Sequence, residues 1–115
     1  MDGVEDGVEV YRLSEGDILK RNGVTYRIKT QSDKLLVILS EMEPGAETGI
    51  YQHAGEEVRI VLKGTIFCEV GSEGYMLEEG DTIWHLSTIP HKTRNVGAEK
   101  AVYITIGTPP SFMKP

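Results

Sequence analysis

The chain has 115 residues, 39% hydrophobic and 26% charged, with a net charge of −6; that size suits a single domain with one core, and the acidic balance disfavours nucleic acid as a direct partner. No Lys/Arg cluster forms a phosphate-binding stripe, and the longest apolar run, Leu35 to Leu39, is far too short to span a bilayer. The single cysteine, Cys68, excludes an intrachain disulfide.

The first six residues are acidic and lack the basic-then-apolar pattern of a signal segment, so residues 1–7 read as a solvated, flexible tail and the cytoplasm as the default compartment. Period-2 alternation then predicts strands at Val8–Leu13, Thr25–Thr30, Lys34–Met42, Gly49–His53, Val58–Leu62, Thr65–Val70, Tyr75–Leu77, Thr82–Leu86, Lys92–Asn95 and Ala101–Ile106. Turn residues punctuate them at Asn22-Gly23, Pro44-Gly45, Gly71-Ser72, Gly80-Asp81, Pro90 and Gly97. No window of 11 or more residues carries a helical period. Short strands at this spacing predict an antiparallel, all-β sandwich or barrel, one domain over 1–115 with its core at about 25–108. Ile66, Cys68 and Val70 share one strand face, so Cys68 reads as a small buried hydrophobe. After the last strand, Pro109 and Pro110 cannot donate to a ladder, and Phe112 is expected to pack back as a plug.

The chemistry concentrates in His53-Ala54-Gly55-Glu56-Glu57 and in Pro90-His91. Two imidazoles and a carboxylate are the ligand set a divalent metal uses when coordination positions must stay open. Tyr51 and His53 share a strand face, Glu57 opens the next strand, and Pro90 stiffens the approach to His91. Arg59 shares the face of Glu57, where it either pairs with that carboxylate or receives an anionic ligand. Only one of Trp84 and His85 can face the interior; Trp84, large and apolar, reads as core or cavity wall, and His85 as structural. Asp81 reads as a turn residue, and Gly64 and Gly80 as backbone positions needing positive φ or close approach.

The spacing of these residues resembles that of the cupin superfamily. Gly45, Tyr51-x-His53, Glu57 and Gly64 follow its first motif, and Gly80, Leu86-Ser87-Thr88, His91 and Asn95 its second. The chain departs from the pattern at Tyr51, where a metal-binding His usually stands, and in lacking the Pro-x-Gly of the second motif. The resemblance implies a double-stranded β-helix, or jelly-roll barrel, holding a divalent metal (Zn, Fe, Mn or Ni) on His53, Glu57 and His91. Tyr51 would be a fourth ligand, a hydrogen-bonding neighbour of bound water, or a substrate contact; a phenol that ionises near pH 10 is a poor ligand, which favours the hydrogen bond. The segment from His53 to Gly64, His91-x-x-x-Asn95 and the ending Thr108-Pro109-Pro110-Ser111-Phe112 are also similar to the C-terminal sensor half of helix-turn-helix regulators with a cupin domain, without their DNA-binding helices.

Three functions are then open. The first is a binding module that takes a metal and a small, anionic molecule, for sensing or storage. The second is a metal-dependent oxygenase or isomerase, in which Tyr51 orients substrate or donates a proton and Arg59 anchors a carboxylate. The third is a metal-free structural cupin. A homodimer is expected from the resemblance, with open strand edges near the amino terminus as the place a partner chain could cover.

Overall fold

The structure, a computed structural model, describes residues 2–5 as backbone and residues 7–110 in full; Phe112 lies outside them. Eleven strands form: β1 (Asp2–Glu5), β2 (Val8–Val10), β3 (Asp17–Arg21), β4 (Val24–Gln31), β5 (Leu36–Met42), β6 (Glu56–Lys63), β7 (Ile66–Val70), β8 (Glu73–Leu77), β9 (Thr82–Leu86), β10 (His91–Arg94) and β11 (Ala101–Thr108). All pairings are antiparallel. A six-stranded sheet runs β3-β4-β5-β11-β6-β9, a three-stranded sheet β10-β7-β8, and β1 and β2 form a separate hairpin. The fold is the all-β cupin jelly roll. No helix of the described residues is long and apolar enough to cross a membrane.

The interior divides along the barrel. One end is apolar, with Val24, Met42, Val61, Ile66 and Ala101 at 1% exposure or less. Cys68 joins this core, and burial pushes its thiol up, away from the reactive thiolate form. The other end is polar: Glu57, Arg59, His85, Ser87, His91 and Thr93 are all buried there. The alternation of β6 is therefore inverted over half its length, with Glu57 and Arg59 pointing in and Val58 and Ile60 pointing out.

Four expectations are corrected. The expected strand at Gly49–His53 is an irregular arm lying along β10, held by isolated bridges Glu47–Arg94 and Tyr51–His91. The ladder breaks because the hydroxyl of Thr48 takes the Thr93 amide (3.0 Å). The expected strand Val8–Leu13 ends at Val10, since the carbonyls of Arg12, Leu13 and Glu15 turn inward to surround the Lys29 ammonium, each at 2.8 Å. Finally, Asp17–Arg21, whose exposed, mostly polar pattern hid it, forms the sheet edge β3. Residues 2–5, read as tail, pair with β2.

Candidate metal centre

Glu57 is the hub of the polar end. It stands on β6 opposite His85 on β9, so both side chains enter the barrel. Its Oε1 lies 2.9 Å from His53 Nε2, 3.0 Å from His91 Nε2 and 3.2 Å from the Ser87 hydroxyl, which donates to it. Its Oε2 accepts from Arg59 Nη2 at 2.9 Å. Burial alone would raise the pKa of this carboxyl. The His91 hydrogen bond and the charges of Arg59, His91 and His53 overcome that and bring it down to about 2.

Both imidazoles are oriented by their own segments. His53 Nδ1 is 3.0 Å from the Ala54 carbonyl and His91 Nδ1 is 2.8 Å from the Ile89 carbonyl. A carbonyl only accepts, so each Nδ1 carries a proton and each ring turns its Nε2 to Glu57 Oε1, a donor to that oxygen where Nε2 holds a proton and a metal ligand where it does not. With both Nε2 atoms deprotonated, two lone pairs and a carboxylate oxygen at this spacing repel one another unless a cation lies among them. The three ligand atoms all fall within 4.8 Å of one another. Atoms about 2.1 Å from a common ion and at right angles to one another stand about 3.0 Å apart, the spacing found from Glu57 Oε1 to each ring. The donor set thus fits a divalent ion.

Gly55 makes the approach of His53 possible. It has φ +103°, and a Cβ there would run into the carbonyl oxygen of Thr108. The arm can therefore fold tightly against the end of β11 and return into β6 four residues after His53. Gly64, with φ +79°, lets the β6–β7 turn pass 3.0 Å from Ala101 Cα where a Cβ would sit. Asn95, at the end of the second motif, donates to the carbonyls of Met42 and Glu99 and accepts from Gly97. Asp81 accepts the Glu78 amide in its turn.

Tyr51 lines the cavity beside the three ligands, its ring 6.4 Å from that of His91. Its hydroxyl accepts from Arg21 at 3.3 Å and also contacts Tyr26. Arg59 is committed on both amino groups, to Glu57 and to His85 Nε2 at 2.7 Å. A guanidinium only donates, so His85 accepts through Nε2 and gives its Nδ1 proton to the Leu86 carbonyl at 2.9 Å. Burial pushes the His85 imidazole below its usual range, and the Arg59 charge adds to that.

His85 is the site residue that the sequence reading passed over. It is 4% exposed, and its ring centroid is 4.5 Å from that of His91. Trp84, expected in the core or cavity wall, instead stands on the outer face of the sheet, 57% exposed, with its indole N–H donated to Glu56 at 2.9 Å. The available signal was parity: His85 shares its face with Ile83, and pairing Glu57 with His85 sends both inward together.

The cavity enclosed by His53, Glu57, Arg59, His91, Thr93 and Thr105 measures about 20 Å³. That is space for about one water beside an ion. On the far side of His85, a more apolar groove of about 400 Å³ runs between β8 and β9, past Tyr75 and Ile83.

Comparison with known proteins bears on family and fold. The family profile described as the cupin domain matches residues 38–107. An uncharacterised protein of Archaeoglobus fulgidus is 43% identical over 60 residues, covering 52% of this chain and 57% of that protein, so the match spans little more than half of its length. Among solved structures, KdgF from Halomonas sp. superposes with a TM-score of 0.81 at 18% identity, covering 91% of this chain and 96% of that one. A predicted oxalate decarboxylase of Thermotoga maritima superposes at 0.78 and 18% identity, covering 87% and 98%. At these identities the solved structures show the shared fold.

Proposed function

The chain belongs to the cupin family, and from that premise we propose that it binds a divalent metal ion through His53, Glu57 and His91, leaving coordination positions open to water and one small, anionic ligand. The observation that carries this reading is the convergence of two Nε2 atoms on Glu57 Oε1 while both Nδ1 atoms are spent on backbone carbonyls. Zn, Fe, Mn and Ni all suit a His/Glu set. A bound ion would supply Lewis-acid polarisation of an oxygen ligand. The chain's own residues do the rest. Arg59 holds Glu57 Oε2 so that Oε1 alone faces the imidazoles. Ser87 donates to that same oxygen. Tyr51, tied to Arg21, borders the open side as a hydrogen-bonding neighbour rather than as a fourth ligand. A sensor or binding module is the role that suits this reading.

A second reading, metal-dependent catalysis, is favoured by one observation: among the described residues three candidate ligands converge, which leaves positions for a reacting group. The similarity to a predicted oxalate decarboxylase is in keeping with a small carboxylate as substrate, turned over by oxygenase-, isomerase- or decarboxylase-type chemistry. In that case Tyr51 orients substrate. Arg59 would reach a carboxylate only by giving up Glu57 or His85.

Elemental analysis of tag-free protein tests the proposal. Near-stoichiometric metal is expected in the native chain and its loss in His53→Ala and His91→Ala. No metal after reconstitution with Zn, Mn, Ni and Fe(II) would overturn it and leave a metal-free cupin, its polar end held by hydrogen bonds alone. Oxygen uptake by an iron-loaded protein would favour the second reading.

A further inference from the structure

The barrel wall is open along one seam. β8 and β9 are end strands of different sheets and do not pair with each other. The turn from Glu78 to Asp81 joins them, so the seam is closed at that end, beside Leu77 and Thr82, and runs from there toward Val70 and Ile89. The groove of about 400 Å³ occupies it. None of His53, Glu57 and His91 lines this groove. His85 stands between it and them, its ring centroid 4.5 Å from that of His91. A metal ion and its water, in the cavity of about 20 Å³, make no use of it.

The lining determines what can sit there. Tyr75 and Leu77 share one face of β8, and Ile83 and His85 one face of β9. The walls are therefore rings and branched aliphatics. No Lys, Arg, Asp or Glu lines the groove, so a charged group would shed its water there with no partner to replace it. His85 spends Nε2 on Arg59 and Nδ1 on the Leu86 carbonyl, and it offers ring surface rather than a hydrogen bond. The Trp84 indole N–H is likewise spent, on Glu56. Two groups on the walls keep their hydrogen-bonding capacity. The hydroxyls of Tyr75 and Thr82 make no hydrogen bond among the described residues.

We propose that this groove is a second binding site, for a small, uncharged, planar molecule of one or two rings that carries a hydroxyl, a compound of the phenol class. Its rings lie between the two walls, against His85, and its hydroxyl pairs with those of Tyr75 and Thr82. The volume falls in the usual range of small-molecule sites, roughly 300–1,000 Å³, which are mostly apolar with a few polar groups that fix orientation. Aromatic and aliphatic walls favour a flat, apolar body. The lack of charge on the walls selects a neutral one.

Isothermal titration calorimetry of the full chain with 2-naphthol, which is uncharged near neutral pH, tests this. A dissociation constant on the order of 0.1 mM is expected for a ligand of this size. The 2-naphthoate anion, the same rings with a carboxylate, should bind at least about 10-fold more weakly. Ile89→Glu places a carboxylate on the groove wall at a residue already 38% exposed. It should weaken 2-naphthol by about 10-fold or more while keeping the β-sheet circular dichroism. Tyr75→Phe combined with Thr82→Val removes both hydroxyls and should weaken it about 5-fold. Leu13→Lys, exposed and outside the groove, should bind as the native chain does. The site is independent of metal, so His53→Ala and metal-stripped protein should also bind 2-naphthol as the native chain does. No binding up to the solubility limit of 2-naphthol overturns the proposal, including the case in which the chain's terminal residues or a second copy cover the groove. So does 2-naphthoate binding as tightly as 2-naphthol. Binding that Ile89→Glu leaves unchanged would put the ligand elsewhere and overturn it too.

Discussion

Glu57 keeps its charge in a buried place because Arg59, His53 and His91 surround it, and that has a consequence for acid stability. Its folded pKa, about 2, lies below the ordinary carboxylate value of 4.5. A depressed value means the ionised form favours the folded state. The contribution, on the order of 3 kcal/mol, is fully present above pH 4.5 and is lost as pH falls toward 2. Urea unfolding of metal-stripped protein at steps from pH 6 to pH 2 should show this decline. Arg59→Met removes one of the groups holding the carboxylate, so the decline should begin at higher pH and the plateau stability should be lower. If Arg59→Met left the pH profile unchanged, Arg59 would not be holding Glu57 in its ionised form. The cluster of His53, Glu57 and His91 was legible in the sequence because these residues occur in two short segments at characteristic spacing. His85 was not, because a lone His beside a Trp carries no sign of which neighbour points inward. The tie-breaker, its pairing opposite Glu57, is a property of two strands at once.

At the scale of elements, the arm from residue 45 to residue 53 and the glycine that ends it decide where His53 sits. Strand periodicity found most of the sheet, most plainly β11, which alternates along its whole length. It failed for the arm, where Tyr51 and His53 mimic a strand but Thr48 diverts the ladder. It failed also for β3, a sheet edge with only one residue, Leu19, half-buried. Gly55 binds the arm to β11. Gly55→Ala combines an unfavourable φ with a clash against the Thr108 carbonyl, and should cost about 2–4 kcal/mol of stability. Relief of the clash would move His53 away from Glu57. Thermal unfolding of the metal-stripped variant, followed by metal titration, should therefore show both a lower melting temperature and weaker metal binding than the native chain. A variant with native affinity would mean that His53 finds Glu57 without the tight turn.

The whole molecule carries two faces of opposite character on the same strands. β6 and β9 turn Glu57, Arg59 and His85 inward and Val58, Ile60 and Trp84 outward. Binary patterning could not assign these strands a buried side, because each side had a claim: the apolar set looked like core and the polar set like surface. The proposed metal site would explain the polar interior. The site is also nearly sealed. His91 and Glu57 side chains are 2% and 6% exposed, and His53, at 19%, stands between them and solvent on the arm. The arm is fastened to β10 and its neighbours by main-chain hydrogen bonds from Tyr51, His53 and Thr48. On the proposed reading, an ion bound behind it would leave only when those bonds open. Its escape would then be timed by the arm's opening rather than by how strongly a competitor attracts it. Stripping with a chelator should proceed at a rate that levels off as chelator concentration rises, and loosening the arm should raise that plateau. A rate that kept climbing in proportion to chelator would mean the ion is reached directly from solvent.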